Sequence, residues 1–360
     1  MDKLTKLKRY GISLILFSII GGCSSNEEEP TLSCGIYEGQ VYLKSQSEVE
    51  EFGKCNYTEI NGGLRIEDRD SNSLITDLSS LNSLTLIRGG IDVSNTRELK
   101  TLEGLNNAFS NQVLFLSENK KLENIDGLDK MQPDNLQISK NKALQNLNAL
   151  NFSTNSITTI AINECPLLKN LNCFSNITDI THYLALTNNI GLEELNGLHN
   201  VESIGIQADP NVSGYGAIQI KDNPSLKTLD QLSGLTAIHK GMFIARNNSL
   251  ATINGLANVA TYSGNLIIRD NPNLSSVDGL SLIKDVKNLE ISNTKIQDLN
   301  GLSGLEFIRY DLLIAGNPFL TDFCGLLNLV EVNGVQGLFD ISFNAYNPTS
   351  ENITNGYCRQ

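Results

Sequence analysis

The sequence predicts a mainly β protein, a solenoid of about twelve leucine-rich coils with a short helix closing its N-terminal end. Three observations predict it. One unit recurs from about residue 62 to 344, with the pattern apolar-x-apolar-x-x-Asn-x-x-Leu-x-x-Leu-x-Gly-Leu-x-x-apolar-x-x-apolar. An asparagine returns three residues after the second apolar position, and a glycine returns just before the third leucine.

The elements follow in chain order. Lys3, Lys6, Lys8 and Arg9 precede a short apolar run from Ile12 to Ile20, and Ile20-Gly21-Gly22-Cys23 places small residues before a cysteine. The run is shorter than the ~20 apolar residues that a membrane-spanning helix needs, so residues 1–22 read as a cleaved export signal. Cys23 is the expected lipid acceptor, and its acyl chains would anchor the mature chain at about 0.8 kcal/mol per buried methylene. Ser24-Ser25-Asn26-Glu27-Glu28-Glu29-Pro30 has no apolar residue, so residues 23–33 read as a flexible acidic tether. The acidic run behind the cysteine resembles the export signal that sends Bacteroidota lipoproteins to the outer face of the outer membrane.

The chain carries a formal charge of -13. Removing the four cations and Asp2 of the leader leaves the mature chain near -16. That balance excludes nucleic acid and anionic lipid as broad-surface ligands, so membrane attachment falls to the lipid. Trp is absent, which limits any aromatic platform for sugars, although Tyr183 or Tyr215 would serve as one. Six cysteines remain beyond Cys23, an even number suited to an oxidising compartment. Their proximity predicts Cys34–Cys55 and Cys324–Cys358, with Cys165–Cys173 as a third candidate pair.

Residues 34–61 form the expected N-terminal cap. Ser45-Gln46-Ser47-Glu48 fits a capping box, Val49 and Phe52 give one apolar face, and Gly53 ends the predicted helix over 45–52. The solenoid then occupies residues 62–344. Its anchors, the second apolar residue of each unit, are Ile66, Val93, Leu116, Ile138, Ile162, Leu186, Ile220, Ile244, Ile268, Ile291, Ile314 and Ile341. Ten of their eleven spacings are 22 to 27 residues, and the exception of 34 holds an insertion over 208–216. A single coil cannot bury its leucines, whereas stacked coils share a core. At the strand spacing of about 4.8 Å, twelve coils extend roughly 50–60 Å.

Asn119, Asn141, Asn189, Asn223, Asn247, Asn271, Asn317 and Asn344 read as a structural ladder that satisfies turn backbones between coils. Cys165 takes the same slot in its own coil. Gly104, Gly127, Gly197, Gly255, Gly279, Gly301 and Gly325 suggest a conformation that a side chain would strain. After Ile341 the pattern fades, and residues 345–360 read as a C-terminal cap tail.

On the outward sheet face Phe243, Ile267 and Leu313 form a partly apolar stripe near Lys221 and Arg269, the candidate binding face. Cover by a loop or self-association explains such a stripe equally well. Asp222, Arg246 and Asp270 share one register in consecutive coils and predict an Asp–Arg–Asp stack. Acids and bases on a sheet face suit a polysaccharide lyase, but alternating charges also arise because like charges repel. His182, His199 and His239 fall in different registers and form no metal set. The reading contains no catalytic residue, no metal and no cofactor.

The repeats, with Cys34-Gly35, Val41-Tyr42-Leu43-Lys44-Ser45-Gln46-Ser47-Glu48-Val49 and Ile60-Asn61-Gly62-Gly63-Leu64-Arg65-Ile66, resemble the receptor L-domain of bacterial lipoproteins. The resemblance runs from residue 34 to 344 and implies a right-handed, leucine-rich β-solenoid. It lacks the cysteine-rich modules and membrane span of the animal receptors, so it implies a recognition module and no hormone binding. The resulting expectation is a lipid-anchored, non-catalytic surface protein that recognises an extracellular protein or glycan. A glycan-handling outer-membrane protein (binder or lyase) and a structural envelope protein are the alternatives.

Overall fold

A computed structural model describes residues 34–69, 71–207 and 216–360. The export signal, Cys23, the tether and most of the 208–216 insertion, with Tyr215, lie outside the described residues. The described chain is a solenoid whose principal sheet holds thirteen parallel strands, from Val41–Leu43 to Phe339–Ser342, in chain order along its main path.

The apolar-x-apolar step forms each strand, because period-2 alternation turns two side chains inward and the one between outward. All twelve anchors pair in one unbroken register from Ile66 to Ile341. Leu43 pairs with Ile66 and adds a rung upstream of them. Val41-Tyr42-Leu43, placed in the cap on sequence, carries the same step but leads into a helix instead of the asparagine turn. The anchors from Ile66 to Ile314 are at most 1% exposed. Ile341 is half-buried, since no further coil lies beyond it.

The asparagines connect eight coils to the coil before them. Asn247 Nδ2 donates to the carbonyl of Ile220 at 2.9 Å, and its Oδ1 accepts the backbone N–H of Asn223 at 3.1 Å. The other seven donate in the same way to the anchor carbonyl of the preceding coil, from Val93 to Ile314. Where the slot holds Thr96 or Thr294, its hydroxyl donates onward to Asn119 or Asn317. Asn344, the last rung, is closed by Asn347 Oδ1 at 2.9 Å.

One turn residue puts these amides inside. The position two after the anchor is left-handed in eleven successive coils, from Asn95 to Phe343. Its ten non-glycine members have φ between 54 and 59°. Continued strand geometry would turn the third residue outward, and the left-handed step returns it to the core.

The return path carries short 3-10 turns such as Asn254–Leu256 and Asn300–Leu302, which bury their leucines against the preceding coil. A Cβ on any of the seven recurring glycines would stand 1.8–2.2 Å from a carbonyl oxygen of that coil. Only Gly104, Gly127 and Gly197 have positive φ. Close approach, more than dihedral strain, therefore fixes this position, a correction to the sequence expectation.

At the N-terminal end α1 (Gln46–Gly53) is capped by Ser45, whose hydroxyl accepts the N–H of Glu48, while Glu48 accepts the N–H of Lys44. Gly53 is its last residue and has ordinary φ; its Cβ would meet Ser80 at 2.5 Å. The predicted Cys34–Cys55 disulfide is corrected here, because both are free thiols. They sit in hydrogen-bond contact beside Tyr57, and it is the contact with Cys55 that raises the Cys34 pKa. The cluster of Tyr37, Phe52 and Tyr57, with centroids 4.9–5.6 Å apart, holds that end without a covalent bond. Cys165 and Cys173 are likewise unpaired. Cys165 fills a ladder slot and accepts the N–H of Asn141, while Cys173 takes the glycine position of a 3-10 turn. The two slots belong to different corners of the coil.

Cys324–Cys358 is a disulfide. With it, α2 (Leu327–Glu331) and α3 (Ser350–Thr354) fold the tail against the last coils, where Ile353 is fully buried.

Candidate functional site

The outer face of the sheet has its rows set by strand register. Gln219, Phe243, Ile267, Glu290 and Leu313 align in one row, and Lys221, Ala245, Arg269, Ser292 and Ala315 in the next. Phe243 and Ile267 are thus neighbours, while Glu290 separates Leu313 from them. The apolar stripe expected from sequence is interrupted.

Phe243 points outward yet is only 2% exposed. The Arg269 guanidinium lies 5.1 Å from its ring centre and reaches towards Glu290 at 3.9 Å. Such stacking is worth about 0.5–2 kcal/mol depending on desolvation. Phe243 is therefore a covered residue and not an exposed contact, which corrects that part of the candidate face. Lys221, Ile267, Arg269 and Leu313 are half-buried and remain on the surface.

The charged stack lies one register further, on the left-handed turn row. Arg246 grips Asp222 with two bonds, Nε to Oδ1 at 2.6 Å and Nη2 to Oδ2 at 2.8 Å. Asp270 accepts from the Asn293 amide at 2.7 Å. These four side chains, with Pro224 and Pro272, line an open groove of about 570 Å³. A bidentate guanidinium neutralises Asp222 and fixes its orientation. Among the described residues, no group of three His, Cys, Asp or Glu is placed to hold a metal ion. His182 lies on the strand Asp179–Thr187, and His239 precedes the strand Gly241–Ala245.

Another row escapes the strand pattern because it stands four residues after the anchor, beyond the turn. It brings Arg97, Lys120 and Lys142 together in three consecutive coils. Counting that offset along the repeat would have found it in the sequence.

No curated protein sequence matches the chain. Among solved structures, an internalin of Listeria monocytogenes shares 17% identity, over 86% of this chain and 82% of that one, at a TM-score of 0.32. A leucine-rich-repeat protein of Leptospira interrogans shares 16%, over 84% and 83%, also at 0.32. The receptor L domain family matches residues 150–262, a narrower stretch than the repeats themselves cover. The chain is a leucine-rich-repeat-like solenoid with a central region similar to the receptor L domain.

Proposed function

We propose that this solenoid is a non-catalytic recognition module, lipid-anchored through Cys23 at the cell exterior, that binds an extracellular protein or glycan. The observation that carries the reading is the run of thirteen strands along the main path of the sheet, with their anchors in one register. Its outward rows are fixed by a rigid core on one side and an asparagine ladder at the turn, so a broad surface is preorganised for a partner. Similarity to the receptor L domain supports a binding role, as does the commitment of Asp222 to Arg246 in the groove best suited to glycan chemistry.

Protease shaving of intact cells tests display. Loss of the protein from shaved cells, and loss of outer-membrane attachment on Cys23→Ala, is the expected result; full protection would overturn exterior display. Incubation with acidic polysaccharides tests the non-catalytic reading, and the appearance of unsaturated products would overturn it. A glycan array and a pull-down with surface-exposed proteins then test recognition itself.

A further inference from the structure

We propose that the cleft over the first coils of the solenoid is a binding site for a linear acidic glycan, recognised by the stacked cations Arg97, Lys120 and Lys142. The inference rests on the recognition reading above and names its ligand class. The cleft has a volume of about 990 Å³ and is lined by six cationic and four anionic side chains, on a chain whose net charge is -13.

The anions are already engaged. Glu67 is nearly buried between Arg65, at 2.9 Å, and Arg69. Asp68 accepts the backbone N–H groups of Ile75 and Arg97, at 2.8 and 2.7 Å. Glu118 pairs with Lys140 at 2.9 Å, and Glu164 accepts the Asn163 amide at 3.2 Å. The ion pairs occupy Arg65, Arg69 and Lys140, while Asp68 and Glu164 bond only neutral donors, so the lining still carries two more cations than anions. Arg97, Lys120 and Lys142 remain, and none of them forms an ion pair with a described carboxylate.

Their spacing selects the ligand. Val93, Leu116 and Ile138 are in register, so the three cations recur along the stacking axis at about 4.8 Å. A linear glycan with one acid group on each sugar presents charge along such an axis. An extended acidic peptide repeats one face at about 6.6–6.8 Å, out of step with the coils. No aromatic residue lines the cleft, which removes the stacking platform that single-stranded nucleic acid requires.

The test uses the full chain in detergent, with polygalacturonate, heparin, neutral dextran and poly-glutamate as probes. Binding of polygalacturonate, heparin or both is expected, weakening with salt, with dextran inert. Carboxylate and sulfate recognition separate by which of the two binds. The triple variant R97S/K120S/K142S should lose at least tenfold in affinity at an unchanged melting temperature, and K120R/K142R should retain binding. Equal affinity in the triple variant would sink the site, as would tighter binding of poly-glutamate. A chain that ignores both acidic glycans but captures a neutral glycan or a surface protein loses this cleft and keeps the recognition reading. One that captures nothing loses both.

Discussion

At the residue scale, the ladder asparagine is the most consequential side chain. Replacing Asn247 by Ala leaves the carbonyl of Ile220 and the N–H of Asn223 buried without partners. Each orphaned group costs about 1–3 kcal/mol, so Asn247→Ala should destabilise by about 2–5 kcal/mol in urea unfolding. Cys165 is the converse case, since its sulfur accepts from Asn141 but does not donate to the Ile138 carbonyl. Cys165→Asn should complete that rung and raise stability by about 1 kcal/mol, and a lower unfolding midpoint would refute the repair. Burial pushes the Cys165 and Cys173 thiols up to about 12, and Tyr57 also rises to about 12 through desolvation and its contact with Cys55. Burial raises Tyr262 as well, although its hydroxyl accepts from Met242 and donates to the Asn265 carbonyl. These groups keep their protons in the folded state at pH values where the unfolded chain releases them. Their stabilisation is complete below the unfolded pKa values near 9–10 and is lost as pH rises towards 12. Urea midpoints should therefore fall across that window, and the buried Cys165 thiol should resist alkylation until the protein unfolds.

At the element scale, each strand and the turn after it act as one unit. The left-handed step at Asn95 carries no packing role, so it isolates the conformational term. Asn95→Val should cost about 1–2 kcal/mol, because a β-branched side chain is disfavoured there, while Asn95→Gly should be nearly neutral. Equal melting temperatures for the two variants would show that the turn tolerates any residue. The strand halves of these units were legible in the sequence, because the alternation of Leu289, Glu290 and Ile291 states directly which side chains face the core. The turn halves were not. Asn, Glu, Lys, Asp, Arg and Phe all occupy the left-handed row, so composition gives no sign of the shared conformation. The glycines were found by position but their cause was missed, since a neighbouring carbonyl 1.8–2.2 Å from an imagined Cβ is a property of two coils.

At the scale of the whole solenoid, coils contact mainly their neighbours, so unfolding should begin at the ends. The C-terminal end is closed by Cys324–Cys358, which spans 34 residues. A loop of that size corresponds to about 3–4 kcal/mol in the chain-entropy account. The double variant C324S/C358S should expose the amides of Leu312–Ala315 and Phe339–Ser342 to hydrogen exchange first, leaving the central strands protected. Uniform loss of protection would show instead that the solenoid unfolds as one cooperative block.

The sequence by itself determined the repeat, the anchor register, the asparagine ladder and the placement of Cys324 near Cys358. In a stacked coil a fixed offset in sequence becomes a fixed position in space, so periodicity alone carries that information. Only the tertiary structure decided that Phe243 is covered, that Cys34 and Cys55 lie together as thiols, and that the carboxylates around the cation row bond other partners. Those outcomes depend on which side chains from different coils reach one another across the surface. Rotamers, turn geometry and competing partners settle that, and none of them repeats with the period of the chain.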